Sequence, residues 1–422
     1  MIAQPRKAVI VGQGYVGLPV AMRAVEVGYD VVGIDLDVNR IESLKRGESY
    51  VDDISHKQLQ SALASGRYIP TVDYDDTAGF DIAVITVPTP LRESLPDLTF
   101  IEDSSKSLAE RLTIGATVVL ESTTYPGTTE ELLVPILEKG SGLTAGTDFF
   151  VGYSPERIDP GNKTWGFVNT PKVVSGLNED SLLHVRGFYD DLVNQTVPVS
   201  SPKEAELTKL LENTFRHVNI ALVNELTVFA HQLGVNVWEA IEAASTKPFG
   251  YMKFTPGPGV GGHCLPVDPS YLSWQVRRKL GKSFRFVELA NDVNDHMPDY
   301  VVQRLMTLLN TSGKALNGST VLIAGLAYKK NTGDIREAPS LRLVELLHEY
   351  GAKVLAVDSH VEANRWPHDV EPVNVSHETL GRTDVAILVT DHDDLDLRDL
   401  TSSGVPILDT KNILFGAAVT KL

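Results

Sequence analysis

The single cysteine of the chain lies in a segment that suits covalent chemistry. Cys264 stands within residues 257–269, GPGVGGHCLPVDP, where glycines, His263 and Asp268 surround it. Glycines let a ligand approach the backbone, and a thiolate is a strong nucleophile, so this cysteine is a candidate for covalent catalysis. The alternative is a buried thiol that packs like a small apolar side chain. Cys264 and Asp268 are four residues apart, but a helix that begins near Pro266 would not place them on one face.

Composition narrows the classes of function. A length of 422 residues exceeds one ordinary core and predicts two or three domains. A formal charge of −17 argues against a surface built for nucleic acid, although it allows a local basic pocket for one phosphate group. One cysteine excludes an intrachain disulfide and a zinc site with several thiolates, and no metal is expected. The N-terminal residues lack the long apolar core of a signal peptide, which predicts a cytoplasmic protein.

A glycine-rich turn near the N-terminus predicts a dinucleotide site. Residues 7–11 have the pattern of a buried strand, and GQGYVG follows at residues 12–17 before a helical pattern. Gly12 permits the tight turn, Gly14 lets the backbone approach a pyrophosphate, and Gly17 allows the helix to pack on the strand. The N-terminus of that helix offers free N–H groups to the anion.

An acidic residue selects the form of the cofactor. Asp35 ends the second strand about 20 residues after the first glycine, the usual reach to a ribose 2′-OH. A carboxylate there repels a 2′-phosphate, so NAD is favoured over NADP. The glycine motif alone is weak evidence, but the order strand, helix, strand and acid makes it strong. A glycine-rich turn of an unrelated α/β fold is the alternative.

Polar residues follow three later strands of the same domain. The apolar runs that predict these strands cover residues 81–87, 116–120 and 149–153. Ligands of open parallel sheets bind beyond the carboxyl ends of the strands, so Thr89, Thr123 and Glu156 are expected at the nicotinamide half of the site. Helix caps and turns are the alternative for Thr89 and Ser122, and a weaker alternative for Glu156.

A long helix is predicted in the middle of the chain. Ser201 and Pro202 have the form of a helix start, and apolar residues recur at helical spacing from there to Leu233. The apolar positions are Leu207, Leu211, Phe215, Val218, Leu222, Leu226 and Phe229. Lys209 and Asn213 are four residues apart and share one face. A solvated stripe is the alternative for this pair unless the helix crosses the active site.

A second α/β unit is predicted at the C-terminus. Its apolar runs cover residues 320–325, 353–358, 384–390 and 405–409. It lacks the glycine motif, and the turn after its first strand carries Lys329, Lys330 and Arg336, which suit a phosphate-bearing substrate. An ordinary charged surface loop is the alternative. The predicted fold class is α/β, with two Rossmann-like doubly wound parallel sheets joined by a long central helix and the Cys264 segment in the cleft between them.

Four separated motifs resemble the UDP-glucose/GDP-mannose dehydrogenase family of nucleotide-sugar 6-dehydrogenases. They are GYVGLP at residues 14–19, PER at 155–157, GGHC at 261–264 and KKNTGDIR at 329–336, in the family's order across essentially the whole chain. The resemblance implies a four-electron oxidation that uses two NAD⁺ in succession. The C6 alcohol of a sugar nucleotide would become an aldehyde, then a thioester, then a carboxylate.

The resemblance implies roles for individual residues. Cys264 matches the nucleophile that attacks the aldehyde, Lys209 the lysine that stabilises the oxyanion, and Asn213 its companion. Asp268 matches a carboxylate that pairs with a water molecule and with Lys209. A thioester route needs these kinds of group: a thiolate, an oxyanion donor and a base for water.

Two further residues complete the implied catalytic set. Glu156 matches the acid proposed as base for hydrolysis, a role that Asp268 could also fill, and Thr123 matches the threonine that holds water or cofactor. The implied cofactor contacts are Gly12, Gly14, Tyr15, Val16, Gly17, Asp35, Arg40, Thr89 and Thr123. The implied substrate contacts are Glu156, Arg157, Lys209, Asn213, Gly261, Lys329 and Arg336.

The resemblance also implies domains and partners. Residues 1–200 would bind NAD, residues 201–300 would form a helical domain with the cysteine segment and a dimer interface, and residues 315–422 would bind the UDP-sugar. Members of the family dimerise through the central helix, so a homodimer is expected. The product would supply uronic acids for a surface polysaccharide.

The choice of sugar and two other functions remain open at this point. Residues 246–251 and 256–259 are most similar to members that oxidise UDP-N-acetylglucosamine, with UDP-N-acetylmannosamine and UDP-glucose as alternative substrates. A two-electron 3-hydroxyacid dehydrogenase also combines a Rossmann domain, a long helix and a Lys/Asn pair, but it needs no cysteine. An inactive protein that senses NAD would bind without turnover.

Overall fold

The computed structural model describes residues 6–51, 53–92, 95–158, 162, 164–262 and 264–422, without the side chain of Cys264. His263 and the Cys264 side chain, both singled out from the sequence, therefore lie outside the described part. The chain forms two compact units, Met1–Glu212 and Asn213–Leu422. The division falls inside one long helix.

The first unit alternates strands and helices. Its strands are β1 (Lys7–Val11), β2 (Asp30–Ile34), β3 (Tyr68–Thr71), β4 (Ile82–Ile85), β5 (Leu91–Arg92), β6 (Leu95–Pro96), β7 (Thr117–Leu120), β8 (Phe150–Tyr153), β9 (Lys172–Val174) and β10 (Thr196–Pro198). Its helices are α1 (Gly17–Glu26), α2 (Val38–Lys45), α3 (His56–Ala64), α4 (Thr99–Ala109), α5 (Val134–Ser141) and α6 (Glu179–Leu192). A 3₁₀-helix covers Tyr74–Thr77, and a π-helical turn covers Thr129–Leu133.

A parallel sheet of the order β3-β2-β1-β4-β7-β8 forms the centre of this unit. This is the order of a doubly wound Rossmann sheet. Successive residues of β1 enter apolar clusters on opposite faces, with Ala8 and Ile10 on one and Val9 and Val11 on the other. Burial on both faces explains why the strands are continuous apolar runs. The strands predicted at residues 81–87, 116–120 and 149–153 are confirmed as β4, β7 and β8.

The long helix predicted in mid-chain is confirmed as α7 (Pro202–Gln232). Its large apolar side chains are exposed: Leu211 is 63% accessible and Phe229 50%. The same is true of Leu207, Phe215, Leu222 and Leu226. Its buried positions are instead mostly polar and include Glu206, Lys209, Asn213, Thr214, His217, Asn224 and Thr227. No described helix, α7 included, is long and apolar enough to cross a membrane.

The second unit contains a helical part and a second sheet. Its helices are α8 (Val237–Ser245), α9 (Cys264–Leu280), α10 (Arg285–Asp295), α11 (Met297–Thr311), α12 (Pro339–Glu349), α13 (His377–Gly381) and α14 (Arg398–Ser402), with a 3₁₀-helix at Ala363–Arg365. Its strands are β11 (Thr320–Ala324), β12 (Lys353–Val357), β13 (Val370–Pro372), β14 (Val385–Leu388), β15 (Ile407–Asp409) and β16 (Val419–Lys421).

This second sheet repeats the topology of the first. Its order is β13-β12-β11-β14-β15-β16, and all its pairs are parallel. Val321 and Ile323 of β11 enter one apolar cluster, and Leu322 and Ala324 enter another. The predicted fold class, with two Rossmann-like sheets and a long helix between them in sequence, is confirmed.

The helix of the cysteine segment begins earlier than the position near Pro266 considered above. α9 begins at Cys264, so positions 264 and 268 are one helical turn apart. Pro266 is tolerated because the first N–H groups of a helix have no intrahelical acceptor. The four-residue spacing of Cys264 and Asp268 is therefore the spacing of one turn within α9.

Candidate active site

The glycine-rich turn between β1 and α1 leaves room for a ligand at one position and none at another. A Cβ atom on Gly17 would lie 1.8 Å from the carbonyl oxygen of Gly12, so only glycine fits where the helix packs on the turn. A Cβ atom on Gly14 would meet nothing within 4 Å. This open space, beside the N-terminus of α1, fits a dinucleotide pyrophosphate.

Asp35 is held at the end of β2 by the same turn. Its Oδ2 accepts a hydrogen bond from the Gln13 N–H (2.9 Å), and its Oδ1 accepts one from the Asp37 N–H (2.9 Å). Arg40, predicted as a cofactor contact, lies 3.5 Å from Asp35 and 3.6 Å from Asp37. The fixed carboxylate fits a cofactor with a free ribose 2′-OH, and the residues of this turn together suit NAD.

The two glycines predict opposite outcomes for the same substitution. We expect Gly14→Ala to change the free energy of unfolding by less than about 0.5 kcal/mol, but to weaken NAD binding about tenfold, or 1.4 kcal/mol, because the methyl group faces the open space. Gly17→Ala should destabilise the fold by about 3 kcal/mol or more, because its Cβ collides with backbone. Thermal denaturation and NAD titration of both variants measure these effects. Equal stability of the two variants would contradict the packing argument.

The loops after β4 and β7 are tied to each other. The Thr89 hydroxyl donates to the carbonyl oxygen of Thr123 (2.9 Å), and the Ser122 hydroxyl donates to that of Val87 (2.7 Å). The structure thus brings together Thr89 and Thr123, two of the residues predicted at the nicotinamide half. Ser122 thus contributes to the contact between the two loops.

Glu206, which the sequence did not single out, anchors the loop that follows Thr123. Its carboxylate accepts hydrogen bonds from the N–H of Gly127 (2.5 Å) and from the N–H (2.9 Å) and hydroxyl (2.7 Å) of Thr129. Burial raises the pKa of Glu206 to about 7, against these hydrogen bonds, which lower it. The loop is therefore fixed by a buried group of α7.

Glu156 and Lys209, predicted to act in the same reaction, are in contact. The Lys209 ammonium group donates to the carbonyl oxygen of Glu156 (2.6 Å). The carboxylate of Glu156 turns back on its own chain, and its Oε1 accepts from the N–H groups of Arg157 (2.6 Å) and Ile158 (2.5 Å). Burial raises the pKa of Glu156, while the Ile158 N–H and the positive charge of Lys209 lower it. A carboxyl group with a raised pKa is suited to accept a proton near neutral pH.

Arg157, predicted as a substrate contact, joins this strand end to α7. Its guanidinium group pairs with the Glu212 carboxylate at 2.6 Å and donates to the carbonyl oxygen of Pro171 (2.6 Å). The planar guanidinium is well suited to such a two-sided contact. Its role toward a substrate stays a prediction.

A buried charged cluster that the sequence did not indicate lies behind Glu156. Lys172, at the start of β9, contacts the Glu121 carboxylate and lies 3.2 Å from Glu156 Oε2. The Tyr189 hydroxyl donates to Glu121 Oε2 (2.9 Å). Lys172 is 4% and Glu121 2% accessible, and burial lowers the pKa of Lys172 well below its usual value. We call Lys172, Glu121 and Tyr189 the rear cluster.

In the second unit, Asn213 and Asp268 are paired. The Asn213 side chain donates to Asp268 Oδ2 (2.6 Å), and both residues are buried. The sequence identified both residues, and the structure joins them. Because Asp268 lies one turn from position 264, this pair fixes the first turn of the cysteine helix to α7.

The glycines before the cysteine pack against the turn after β11. The Gly262 N–H donates to the carbonyl oxygen of Arg336 (2.9 Å), and a Cβ atom on Gly261 would lie 2.5 Å from Tyr328 Cβ. Lys330 pairs with Asp393 (2.7 Å), and Arg336 pairs with Asp334 (2.6 Å). These cations, predicted to suit a phosphate, are thus paired with carboxylates.

A cavity of about 370 Å³ in the second unit has basic and aromatic walls. Arg216, Lys253 and Lys411 supply the cations, and Trp238 and Phe254 supply the rings. The backbone of Gly257 and Gly259, from the cysteine segment, completes the wall. Burial lowers the pKa of Lys411. Of these side chains, sequence analysis proposed none as a site residue, because three cations that are far apart along the chain form no local motif.

The acid of the second sheet is not available to a ribose. Asp358 follows β12 as Asp35 follows β2, but its Oδ2 accepts from the N–H groups of Leu326 (2.7 Å) and Ala327 (2.9 Å) and from His392 Nε2 (3.0 Å). Although burial raises the pKa of Asp358, the bonds from His392 and from backbone N–H groups bring it below its usual value. The side chain of Asp358 is also fully buried, whereas that of Asp35 is 11% accessible, so this sheet edge does not repeat the dinucleotide site of the first unit.

Comparison with known proteins adds three family matches along the chain. Residues 6–193 match the NAD-binding domain of the UDP-glucose/GDP-mannose dehydrogenase family, residues 203–296 match its central domain, and residues 322–416 match its UDP-binding domain. The division proposed from sequence at residues 200 and 315 stays a prediction beside these matches.

Individual relatives extend over nearly the whole chain. The chain is 34% identical to UDP-N-acetyl-D-mannosamine dehydrogenase of Pyrococcus horikoshii, over 96% of this chain and 95% of that protein. It is 37% identical to UDP-N-acetyl-D-glucosamine 6-dehydrogenase of Pseudomonas aeruginosa, over 92% and 90%. A solved structure of UDP-D-ManNAc dehydrogenase from Pyrococcus horikoshii superposes with a TM-score of 0.89 at 33% identity and covers 98% of both chains.

Proposed function

Because the chain belongs to the UDP-glucose/GDP-mannose dehydrogenase family and is an NAD-dependent nucleotide-sugar 6-dehydrogenase, we propose that it oxidises C6 of a UDP-N-acetylhexosamine to the carboxylate, with UDP-N-acetylglucosamine preferred. The observation that carries this proposal is the basic, aromatic-lined cavity whose wall includes Gly257 and Gly259. Cations suit a diphosphate, and aromatic rings suit a nucleoside base. Relatives named for both N-acetylglucosamine and N-acetylmannosamine support an acetylated sugar.

The proposed reaction removes two hydrides from the same carbon. The glycine-rich turn at residues 12–17 and Asp35 would hold NAD⁺, which would supply the hydride acceptor for each oxidation. Between the two, the Cys264 thiolate attacks the C6 aldehyde to form a thiohemiacetal, and loss of the second hydride converts this to a thioester. Water then attacks the thioester carbon, the C–S bond breaks, and the thiolate is restored.

Lys209 and Glu156 receive complementary roles. An ammonium group has three N–H donors, and the bond to the Glu156 carbonyl uses one, so Lys209 can also donate to an oxyanion at C6. Glu156 accepts the proton from the attacking water, which its raised pKa favours. Asp268, oriented by Asn213, is the alternative base.

The exposed apolar stripe of α7 supports a homodimer through this helix. Six large apolar side chains of the stripe are at least 42% accessible, which is unusual for a continuous apolar surface that stays in water. The burial of polar groups on the opposite side leaves this stripe as the helix's apolar face. The product would serve the synthesis of a surface polysaccharide that contains uronic acid.

The experiment that tests the proposal counts NADH per sugar across a panel of UDP-sugars. Purified protein is supplied with limiting UDP-N-acetylglucosamine, UDP-N-acetylmannosamine, UDP-glucose or a 3-hydroxyacid, and absorbance of NADH is followed to completion. We expect two NADH per UDP-N-acetylglucosamine and the highest kcat/KM for that sugar. One NADH per substrate would instead indicate a two-electron enzyme, and binding without turnover would indicate a sensor.

A further inference from the structure

Among the residues that the structure describes, the rear cluster is a group of buried charges beside Glu156 to which the proposed reaction assigns no part. Lys172 and Glu121 are almost fully buried, and a buried ion pair is a costly arrangement that apolar residues of similar volume can often replace without loss of stability. Neither residue was singled out from the sequence. Lys172 lies 3.2 Å from Glu156 Oε2 and also contacts Glu121, which indicates a role in the reaction.

We propose that Lys172, held by Glu121, is a positioning residue that orients the Glu156 carboxylate for thioester hydrolysis. The inference rests on the proposed role of Glu156 as the base. The geometry divides the two oxygens of Glu156 between two sets of donors. Oε1 accepts from the N–H groups of Arg157 and Ile158, and Oε2 lies 3.2 Å from the Lys172 ammonium group.

Glu121 supplies the opposite charge beside Lys172. Burial first, and the positive charge of Lys209 second, lower the pKa of Lys172 well below its usual value and favour its neutral form, which would donate more weakly. The contact with the Glu121 carboxylate opposes that effect, and the Tyr189 hydroxyl fixes Glu121 from the other side. The ammonium group also lies 5.3 Å from the centre of the Tyr189 ring and 5.6 Å from that of Phe167. The cation is therefore held by an acid and two aromatic faces.

Other charged and titratable groups also face Glu156, and the test has to separate them. Lys209 on α7 lowers the pKa of Glu156, and so does Arg157, whose charge is shared with Glu212. Tyr189 on α6 and Tyr153 on β8 are the phenols of this region, and burial raises the pKa of Tyr189. Among the described residues, Lys172 differs from these groups because it lies beside Oε2 and has an acidic partner, Glu121, of its own.

The step in which the cluster acts is the attack of water. Water forms the new C–O bond, its proton passes to Glu156 Oε2 or Oε1, and the C–S bond breaks with its electron pair on sulfur. A carboxylate held by donors on both oxygens keeps one direction toward water and stays ionised until it accepts that proton. Lys172 takes no proton in this step.

The test uses a neutral replacement of the pair, because removing one partner alone would leave an unpaired buried charge. The double variant Lys172→Met with Glu121→Gln has no such charge. We expect its hydrolysis step to be at least about tenfold slower, and its KM for the UDP-sugar to be unchanged. Loss of the base itself costs roughly 10²–10⁴-fold. The pH at which the hydrolysis rate falls on acidification should rise by about 1–3 units. The reason is that the cation that favours ionised Glu156 is gone.

Intact-mass measurement of the full-length enzyme during turnover detects the sugar bound as a thioester, and Arg304→Met serves as the control. Arg304 is buried in α11, where it donates to the Lys421 carbonyl oxygen (2.9 Å), so its loss reports on general damage. We expect the adduct in the double variant and in Glu156→Gln, and no shift of the pH profile in Arg304→Met.

The outcomes distinguish a failure of Glu156 as the base from a failure of Lys172 as its positioning residue. If Glu156→Gln accumulates no adduct, the proposed base is wrong, and the inference about Lys172 fails with it. If Glu156→Gln accumulates adduct but the double variant hydrolyses at the normal rate with an unshifted pH profile, only the role of Lys172 is overturned. A slower double variant with an unshifted profile would also overturn it, since a structural defect predicts no change in ionisation.

Discussion

Replacing Cys264 by alanine should abolish uronate formation, with a loss of at least about 10³-fold. Without sulfur no thioester can form, so the second oxidation loses its covalent intermediate. The first oxidation needs no thiol, and slow formation of aldehyde with one NADH per sugar is the most that should remain. NADH counting combined with product analysis by mass spectrometry measures both steps. Full uronate formation by this variant would refute the assignment of Cys264.

Alkylation of the single cysteine is a second test of the role of Cys264. Because the sequence contains one cysteine, alkylation of the wild-type protein can add at most one group at sulfur. We expect activity to fall in proportion to that single modification. The Cys264→Ala variant should resist modification and keep its affinity for NAD, since the glycine-rich turn at residues 12–17 is intact.

Replacing Lys209 by methionine should lower kcat by roughly 10²–10³-fold, the usual cost of removing one oxyanion donor. Lys209 is buried, and its ammonium group is directed to the Glu156 carbonyl, so a cation is fixed beside the proposed base. Methionine keeps much of the volume but supplies neither charge nor donor. The effect should fall mainly on kcat, because the oxyanion forms only during the reaction.

Lys203 supplies the control on the same helix. Its ammonium group contacts Glu130 at the surface, and Lys203→Met should change kcat less than twofold. Steady-state kinetics and melting temperatures of both variants distinguish catalysis from stability. A Lys209→Met enzyme with kcat within threefold of wild type would remove Lys209 from the mechanism.

The parts of the fold that depend on local order could be predicted from the sequence. The glycine-rich turn, Asp35 and the strands that flank them are close along the chain, so one stretch of sequence contains the whole pattern. The start of α7 at Pro202 was equally clear, since proline suits the first helical turn. Resemblance to a family added Glu156, Lys209, Asn213 and Asp268 as single residues of one site. The structure adds which of them meet: Lys209 contacts Glu156, and Asn213 contacts Asp268.

The environment of α7 could not be predicted, because periodicity does not say which face is covered. The apolar positions from Leu207 to Phe229 predicted a helix correctly, yet they are exposed, and polar residues such as Glu206 are buried. A buried carboxylate is stable there because Gly127 and Thr129 donate to it. Such donors come from a loop nearly 80 positions earlier, and no spacing rule connects them.

Lys172 and Glu121 were missed for the same kind of reason. Lys172 opens a short strand after Pro171, and in sequence it looks like an ordinary polar residue at a strand end. Its burial and its contact with Glu121 arise only when β9 and the loop after β7 fold together. For the helix of the cysteine segment, a start near Pro266 was one possibility from sequence, and the structure begins the helix at Cys264.

The occupied carboxylate of Asp358 sets a condition on how a four-electron oxidation can proceed. Within the described residues, the acid of the second sheet accepts hydrogen bonds from His392 and from its own turn, whereas the glycine-rich turn of the first unit has the form of a dinucleotide site. In the four-electron oxidation that we propose, both equivalents of NAD⁺ would therefore bind at that turn, one after the other. Reduced cofactor would be exchanged for oxidised cofactor midway through each cycle, while the half-oxidised sugar stays bound. The lifetime of the bound aldehyde would then have to exceed the time of that exchange.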